Sequence, residues 1–528
     1  MEEKQRGNWS SRFTFILAAV GSAVGLGNAW RFPGLAAKHG GGAFLMAYAL
    51  LMVVFGVPLL YMEIAIGRKL RKGAPESMRG INKKAEPIGW AAVSNAFVIA
   101  IYYAVIFGWV IMMTIYSFKF FNMTGADKNI LAGSLFDDLT QTTGKISGHS
   151  TMSTPVLMCV IIAWALIWWC IRNGASSVSK VVKYTVTLPF LCLGIMAVKG
   201  LTMNGAGSAL KALLVPKWSA FGSATLWMDA AGQVFYSLSI MMAIMFAYGS
   251  FLKEDANVAV DGLIIAGADF LTSLLSGIVL FTTMFGVYGS DALVMMKSTG
   301  SIGTAFYMYP QAIVNLSGSG LFNSIFAFIF FFCLCTLAID SAFSIIEGVS
   351  TALSDKFRLN RKKTTLYCCL IAGVISLIFV TGAGLAWLDI VDHWCNYFNL
   401  VIVGIAETLV IGWFFKTSKV LNEVNRNTNK FKVPAWWFQS TVKVIAPLGL
   451  STLLVWSIVD LIKSGGIYGG YPVWSNIIGG WIITAFVLAS GFIIKLIVKK
   501  AKQKGFVENE IIWEEQTEQL TETETENA

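Results

Sequence analysis

The chain has 528 residues, 56% of them hydrophobic and only 13% charged, a balance that excludes an ordinary soluble domain and marks an integral membrane protein. Its formal net charge of +10 sits in clusters that follow apolar runs, so it reports orientation in a bilayer and not nucleic-acid binding. The eight cysteines lie mostly within apolar runs, which excludes a disulfide scaffold, and His39, His149 and His393 are scattered, so no transition-metal site is expected.

The N-terminus, MEEKQRGNW, lacks a short apolar core followed by a cleavage site, so the first helix is expected to remain. Runs of at least about 18 apolar residues fall near 13–36, 42–68, 89–121, 155–172, 181–201, 225–252, 258–289, 322–354, 364–382, 386–415, 438–462 and 473–498, about twelve spans in all. Lys69, Arg71, Lys72, Arg79, Lys83 and Lys84 follow the second span, Lys356, Arg358, Arg361, Lys362 and Lys363 the eighth, and Lys499, Lys500, Lys502 and Lys504 the last. By the positive-inside rule both termini are then cytoplasmic. The acidic tail from Glu508 to Ala528 reads as disordered.

Two spans carry punctuation that hydrocarbon penalises, since an unpaired amide there costs several kcal/mol. The first contains GSAVGLGNAWRFP, with Gly21, Gly25 and Gly27 followed by Asn28, Arg31 and Pro33. In the sixth, Gly232 and Gln233 precede the run Ser237-Leu238-Ser239. The two lie five spans apart, an odd offset that reverses direction across the membrane, so spans 1–5 and 6–10 can be inverted repeats whose first helices are broken near the midplane. Unwound backbone offers carbonyls to a cation and half-helix amides to a carboxylate, the groups that an amino acid and a coupling ion require. The expected organisation is a cytoplasmic segment 1–12, repeats 13–202 and 203–415, two further helices in 416–498, and a cytoplasmic tail 499–528.

GSAVGLGNAWRFP, GGGAF at 40–44, EIAIGR at 63–68, IYYAVIFGW at 101–109, QVFYSLS at 233–239, TLAIDSAFSIIEG at 336–348 and DIVDHW at 389–394 together resemble the neurotransmitter:sodium symporters. The short termini and the absence of a long second outer loop resemble the bacterial amino-acid branch. That resemblance implies an all-α membrane protein of the LeuT-like fold, with a 5+5 inverted repeat and broken helices 1 and 6. It implies a multi-pass transporter in the cell membrane that imports a neutral α-amino acid with Na⁺ by alternating access, and it leaves a homodimer open. An ion channel with a regulatory amino-acid site is the alternative, and would need a continuous pore. A hydrolase would need a nucleophile and base that the scattered histidines do not supply.

The resemblance further implies that the substrate carboxylate meets the amides of Leu26 and Gly27 and the Tyr103 hydroxyl, while the ammonium meets the carbonyls of Ala23, Tyr236 and Ser237 and the Ser239 hydroxyl. Gly25 stands where amine carriers place an aspartate, which favours a zwitterion. Ile99, Tyr103, Tyr236, Met242, Ser341 and Ile345 would line a side-chain pocket without fixed charge. Met241-Met242-Ala243 departs from the family at a place where relatives often carry glycine. One sodium site is implied at Ala23, Asn28, Ser237 and Asp269, and a second at Gly21, Val24, Leu337, Asp340 and Ser341. Glu63 would accept amides freed by unwinding. Arg31 with Asp392 and Arg6 with Asp355 match the two gate pairs, and Tyr103 with Tyr236 the aromatic lid. Tyr48, Gln233, Ser237 and Ser273 match the family's chloride ligands, yet Asp269 replaces the usual asparagine one turn from Ser273. Two anions this close repel in a low dielectric, so either Asp269 is ionised and chloride is dispensable or Asp269 is protonated when chloride is bound. The first is the expectation, because an adjacent Na⁺ holds a carboxylate ionised.

Overall fold

The computed structural model describes residues 8–428, 431–503, 506–508 and 513. Among them the chain is almost wholly helical, with only two isolated β-bridges, Gly41 to Pro216 and Met152 to Thr381. The first span is a pair, α1 (Arg12–Ala23) and α2 (Gly27–Lys38), bent by 49°. Four continuous helices follow: α3 (Gly42–Leu70), α4 (Glu86–Asn122), α5 (Thr154–Ile171) and α6 (Ala175–Leu201). The sixth span is again a pair, α7 (Ala224–Ser237) and α8 (Ile244–Gly249). The remaining spans are α9 (Val258–Lys297), α10 (Gly320–Phe357), α11 (Arg361–Val380), α12 (Gly384–Phe414), α13 (Ala435–Lys463) and α14 (Val473–Gln503). Each apolar run of the sequence therefore has its span, ten continuous and two interrupted.

Helix starts follow local chemistry. Ser11 and Thr14 form a capping box at α1, and Ser153, Asn257, Ser319 and Asn360 cap α5, α9, α10 and α11 with their side chains. Burial sorts the spans into a centre and a rim. The most apolar stretch of α4 is 89% buried, against 28% for α13 and for α14, whose outer faces carry Trp436, Ile462, Trp481, Phe492 and Leu496 in the open. Apolar side chains exposed in this pattern are what a lipid-facing rim presents.

The acidic tail departs from the expectation of disorder at two places. Glu508 pairs with Lys356, with Arg79 at 3.0 Å and with Lys502 at 2.5 Å. Partial burial raises its pKa, but the hydrogen bonds from Lys356 and Lys502 outweigh that and draw it down to about 2. Trp513 is buried, with its ring centroid 5.2 Å from that of Phe415 and its backbone N–H donating to the Gly80 carbonyl at 3.4 Å. Ion pairing fixes Glu508 and burial fixes Trp513 where net composition argues for solvent; the rest of the tail lies outside the described residues.

Candidate functional site: two helix breaks around a central cavity

The first break begins where Val24 leaves the helix with φ −83° and ψ 91°. The loss of regular hydrogen bonding frees the Gly25 N–H, which donates to Asn28 Oδ1 at 2.9 Å. It also leaves the Ser22 carbonyl to accept from Ser239 Oγ at 2.9 Å and from Ser341 Oγ at 3.3 Å. One carbonyl thus ties the first break to the second and to α10. Glycine is required by proximity: a Cβ on Gly25 would collide with Ser341 Oγ, and one on Gly27 would lie 2.9 Å from Tyr236 Cδ1.

The second break follows Ser237, so Gly232 and Gln233 lie inside the intact helix α7. It contains no glycine. Ser239, Met241 and Ala243 instead adopt left-handed φ values of 54°, 63° and 62°. The Met241 N–H donates to Glu63 Oε1 at 2.5 Å, so the amide that Glu63 accepts belongs to this second break.

Between the breaks lies a cavity of about 20 Å³ whose lining includes all the residues expected to hold substrate: Ala23, Leu26, Gly27, Ile99, Tyr103, Tyr236, Ser237, Ser239, Met242, Ser341 and Ile345. Ser22, Gly25 and Asn28 complete it. Ile99, Met242 and Ile345 supply buried apolar wall. The Tyr103 hydroxyl is buried and makes no hydrogen bond of ordinary geometry. A donor left in that state fits an incoming acceptor such as a carboxylate.

The residues expected at the first sodium site cluster tightly. Asn28 Nδ2 donates to Asp269 Oδ1 at 2.7 Å and to Ser273 Oγ at 2.8 Å, and Ser237 Oγ donates to Asp269 Oδ2 at 2.9 Å. Two of the expected chloride ligands, Tyr48 and Ser237, hydrogen-bond the same carboxylate. Tyr48 donates to Asp269 Oδ2 at 2.6 Å and lies 3.0 Å from Ser237 Oγ and 3.4 Å from Ser273 Oγ. Gln233 is adjacent, donating from Nε2 to the Gly27 carbonyl at 3.1 Å. Asp269 is fully buried, and this ring of donors is what a desolvated anion needs.

At the second expected site, Leu337, Asp340 and Ser341 share one face of α10 at i, i+3 and i+4 spacing. Gly21 faces them, since a Cβ there would lie 2.9 Å from Asp340 Oδ2. Thr185, which the sequence reading missed, donates from Oγ1 to Asp340 Oδ1 at 2.7 Å. A signal for it existed: Pro189, four residues on, has no N–H to return to the Thr185 carbonyl, so α6 loosens beside the site.

Above the cavity is a vestibule of about 520 Å³ lined by Arg31, Asp389, Asp392, Tyr397 and Tyr468 among others, and it shares Gly27, Tyr103 and Tyr236 with the central cavity. These three residues are therefore the partition between the two. Arg31 and Asp392 face one vestibule, but no ion pair joins them among the described residues. The Asp392 carboxylate accepts from Tyr102 and from Asn396, each at 2.8 Å, and the Arg31 guanidinium lies 5.2 Å from the centroid of the Tyr236 ring. At the opposite end Asp355 Oδ2 accepts from the Gly73 N–H at 2.7 Å, while Arg6 lies outside the described residues. Two further buried carboxylates differ in their surroundings: Glu347 pairs with Arg361, and Glu407 has neither oxygen hydrogen-bonded.

Comparison with known proteins agrees with this geometry. Residues 6–130 and 134–501 match the sodium:neurotransmitter symporter family. The chain is 32% identical to an uncharacterized sodium-dependent transporter of Methanocaldococcus jannaschii, over 95% of this chain and 99% of that one. It is 30% identical to the mouse sodium- and chloride-dependent neutral and basic amino acid transporter B(0+), over 97% and 88%. It is 28% identical to sodium- and chloride-dependent glycine transporter 2 of Xenopus laevis, over 92% and 68%. With two broken spans enclosing a cavity, and a family match over nearly its whole length, this chain belongs to the sodium:neurotransmitter symporters, a family of sodium-coupled transporters and not of enzymes.

Proposed function

We propose that the protein imports a neutral α-amino acid with two sodium ions, and that Asp269 supplies the negative charge that chloride-dependent relatives take from solution. The observation that carries the reading is the shape of the central cavity's wall. Residues of the two helix breaks contribute polar groups, Ile99, Met242 and Ile345 contribute apolar surface, and no charged side chain is among the lining residues. Such a wall suits the paired charges of an amino-acid backbone and an uncharged side chain. The relatives named above for amino-acid or glycine transport support the substrate class. Ala23, Asn28, Ser237 and Asp269 would bind one ion beside the substrate carboxylate, which couples the two chemically. Gly21, Val24, Leu337, Asp340 and Ser341 would bind the other and brace the first break against α10. The partition of Gly27, Tyr103 and Tyr236 supports alternating access over a continuous pore. On this reading the chain lies in the cell membrane with both termini cytoplasmic, because the basic clusters after spans 2, 8 and 12 share one face. The organisation into repeats 13–202 and 203–415 accounts for the two breaks falling five spans apart.

The test is uptake of a panel of labelled amino acids into proteoliposomes with and without an inward Na⁺ gradient. Uptake of neutral species only, abolished without Na⁺ and in folded Asp340→Ala, is expected. Accumulation independent of the gradient would remove the reading. Replacing chloride by gluconate should leave uptake nearly unchanged, whereas Asp269→Asn should make it chloride-dependent. Loss of most uptake by the unmutated protein in gluconate would show that Asp269 does not substitute for chloride.

A further inference from the structure

We propose that a second cavity, on the face opposite the basic loops, binds the phosphate headgroup of an anionic phospholipid. The cavity has a volume of about 310 Å³ and lies among the end of α2, the short helix Ala206–Leu214 with the turn after it, and the end of α9. Three lysines line it, Lys211, Lys217 and Lys297, over a floor that includes Ala37, Val215, Pro216, Phe285 and Leu293. All three are exposed, and among the described residues none has a carboxylate or other hydrogen-bond partner for its ammonium group. The basic clusters after spans 2, 8 and 12 lie at the opposite face, since α3 starts at this face and ends at that one, so these three sit on the side that the positive-inside rule leaves poorer in lysine.

Three unneutralised cations around one recess call for a polyoxygen anion, and the surroundings indicate its source. Val215 is 53% exposed, Val294 69% and Trp218 70%, an apolar flank with an aromatic residue beside the cations. Tryptophan next to exposed aliphatic surface marks the depth of the bilayer interface, where a phosphate is covalently joined to acyl chains that can cover the flank. The Lys217 stem lies along the Gly40 turn, 3.2 Å at Cδ from where a Cβ would stand, so the side chain lays its methylenes on the protein and carries its charge to the recess. A free phosphate satisfies the cations but leaves the flank uncovered, and the lipid satisfies both. The site also adjoins the moving part of the machinery. Gly40 and Gly41 end the first span, and a Cβ on Gly41 would collide with the Ala212 carbonyl, so a headgroup seated here touches the outer end of the half-helix whose inner end forms the central cavity.

The experiment is native mass spectrometry of the full-length protein in detergent, titrated with phosphatidylglycerol, phosphatidylcholine or inorganic phosphate. The unmutated protein should retain one phosphatidylglycerol in preference to phosphatidylcholine. The triple variant Lys211→Ala, Lys217→Ala, Lys297→Ala should bind it about a hundredfold more weakly. Arginine at the same three positions should preserve binding, which separates loss of charge from loss of fold. Removing three lysines from the opposite face, Lys84→Ala, Lys362→Ala and Lys363→Ala, should leave this site intact. Equal retention by the triple alanine variant, or inorganic phosphate binding as tightly as the lipid, overturns the proposal.

Discussion

The first and sixth spans are both interrupted beside the central cavity, but by different means. The first break is made by subtraction: glycines at 21, 25 and 27 remove side chains where Asp340, Ser341 and Tyr236 press against the backbone. Its freed groups are taken up nearby, the Gly25 N–H by Asn28 and the Ser22 carbonyl by two serines. The second break is made by force. Three residues with side chains occupy the left-handed region at Ser239, Met241 and Ala243, at a cost of about 1–2 kcal/mol each. Packing and the Glu63 carboxylate hold them there. A break built from glycine is permissive, whereas one built from strained residues persists only while its restraints do. The second should therefore be the more sensitive to loss of a neighbour and the first to any added atom.

That contrast is sharpened most by Glu63→Ala. It leaves the buried Met241 N–H without an acceptor, and should lower stability by about 2–3 kcal/mol and uptake with it. Glu63→Gln retains an oxygen acceptor and should cost less than half as much. Thermal melting of the purified variants measures both, and equal melting of the alanine variant and the parent would mean that the strain is held elsewhere. Gly25→Ala comes next. Its collision with Ser341 Oγ should weaken apparent substrate affinity about tenfold, read from the concentration dependence of uptake, and an unchanged half-saturation would show that the first break has room after all. Thr185→Val removes one hydrogen bond to Asp340, of the order of 1 kcal/mol. A several-fold rise in the Na⁺ concentration for half-maximal uptake is expected, with substrate affinity at saturating Na⁺ preserved. The smallest effect has the opposite sign. Ala243→Gly relieves a left-handed alanine and should stabilise the protein by about 0.5–1 kcal/mol. A fall in melting temperature would show that Ala243 is not strained.

These differences also explain what could be read from sequence. Every membrane span was legible, because some twenty apolar residues leave little choice of structure. The first break was legible because glycine, asparagine and proline are conspicuous in hydrocarbon. The second was visible only as a polar run, since Met241 and Ala243 look like ordinary helix formers and their conformation is imposed by tertiary packing. The cavity-lining residues were reached through family resemblance, not periodicity, and the structure gathers them around one space. The partners of the Ser22 carbonyl and the separation of Arg31 from Asp392 were hidden, because each depends on how segments distant in sequence approach, whereas Thr185 was marked only indirectly, by Pro189 one turn further on. The docking of Glu508 and Trp513 was missed for a related reason: composition averages over a segment, and two anchoring side chains are lost in the average.

The Asp269 carboxylate is covalently attached, and this has an electrical consequence. A dissolved counter-anion can leave with the solute, so the emptied carrier resets with a different charge from the loaded one. A carboxylate cannot leave. On the reading proposed here, once substrate and cations have departed, the carrier must either return across the field with that charge or take up a proton first. Moving one unit charge through the full membrane potential involves about 2.3 kcal/mol for each 100 mV. The voltage would then act on the empty half of the cycle as well as the loaded half, and steady-state currents would carry the mark of a single buried side chain.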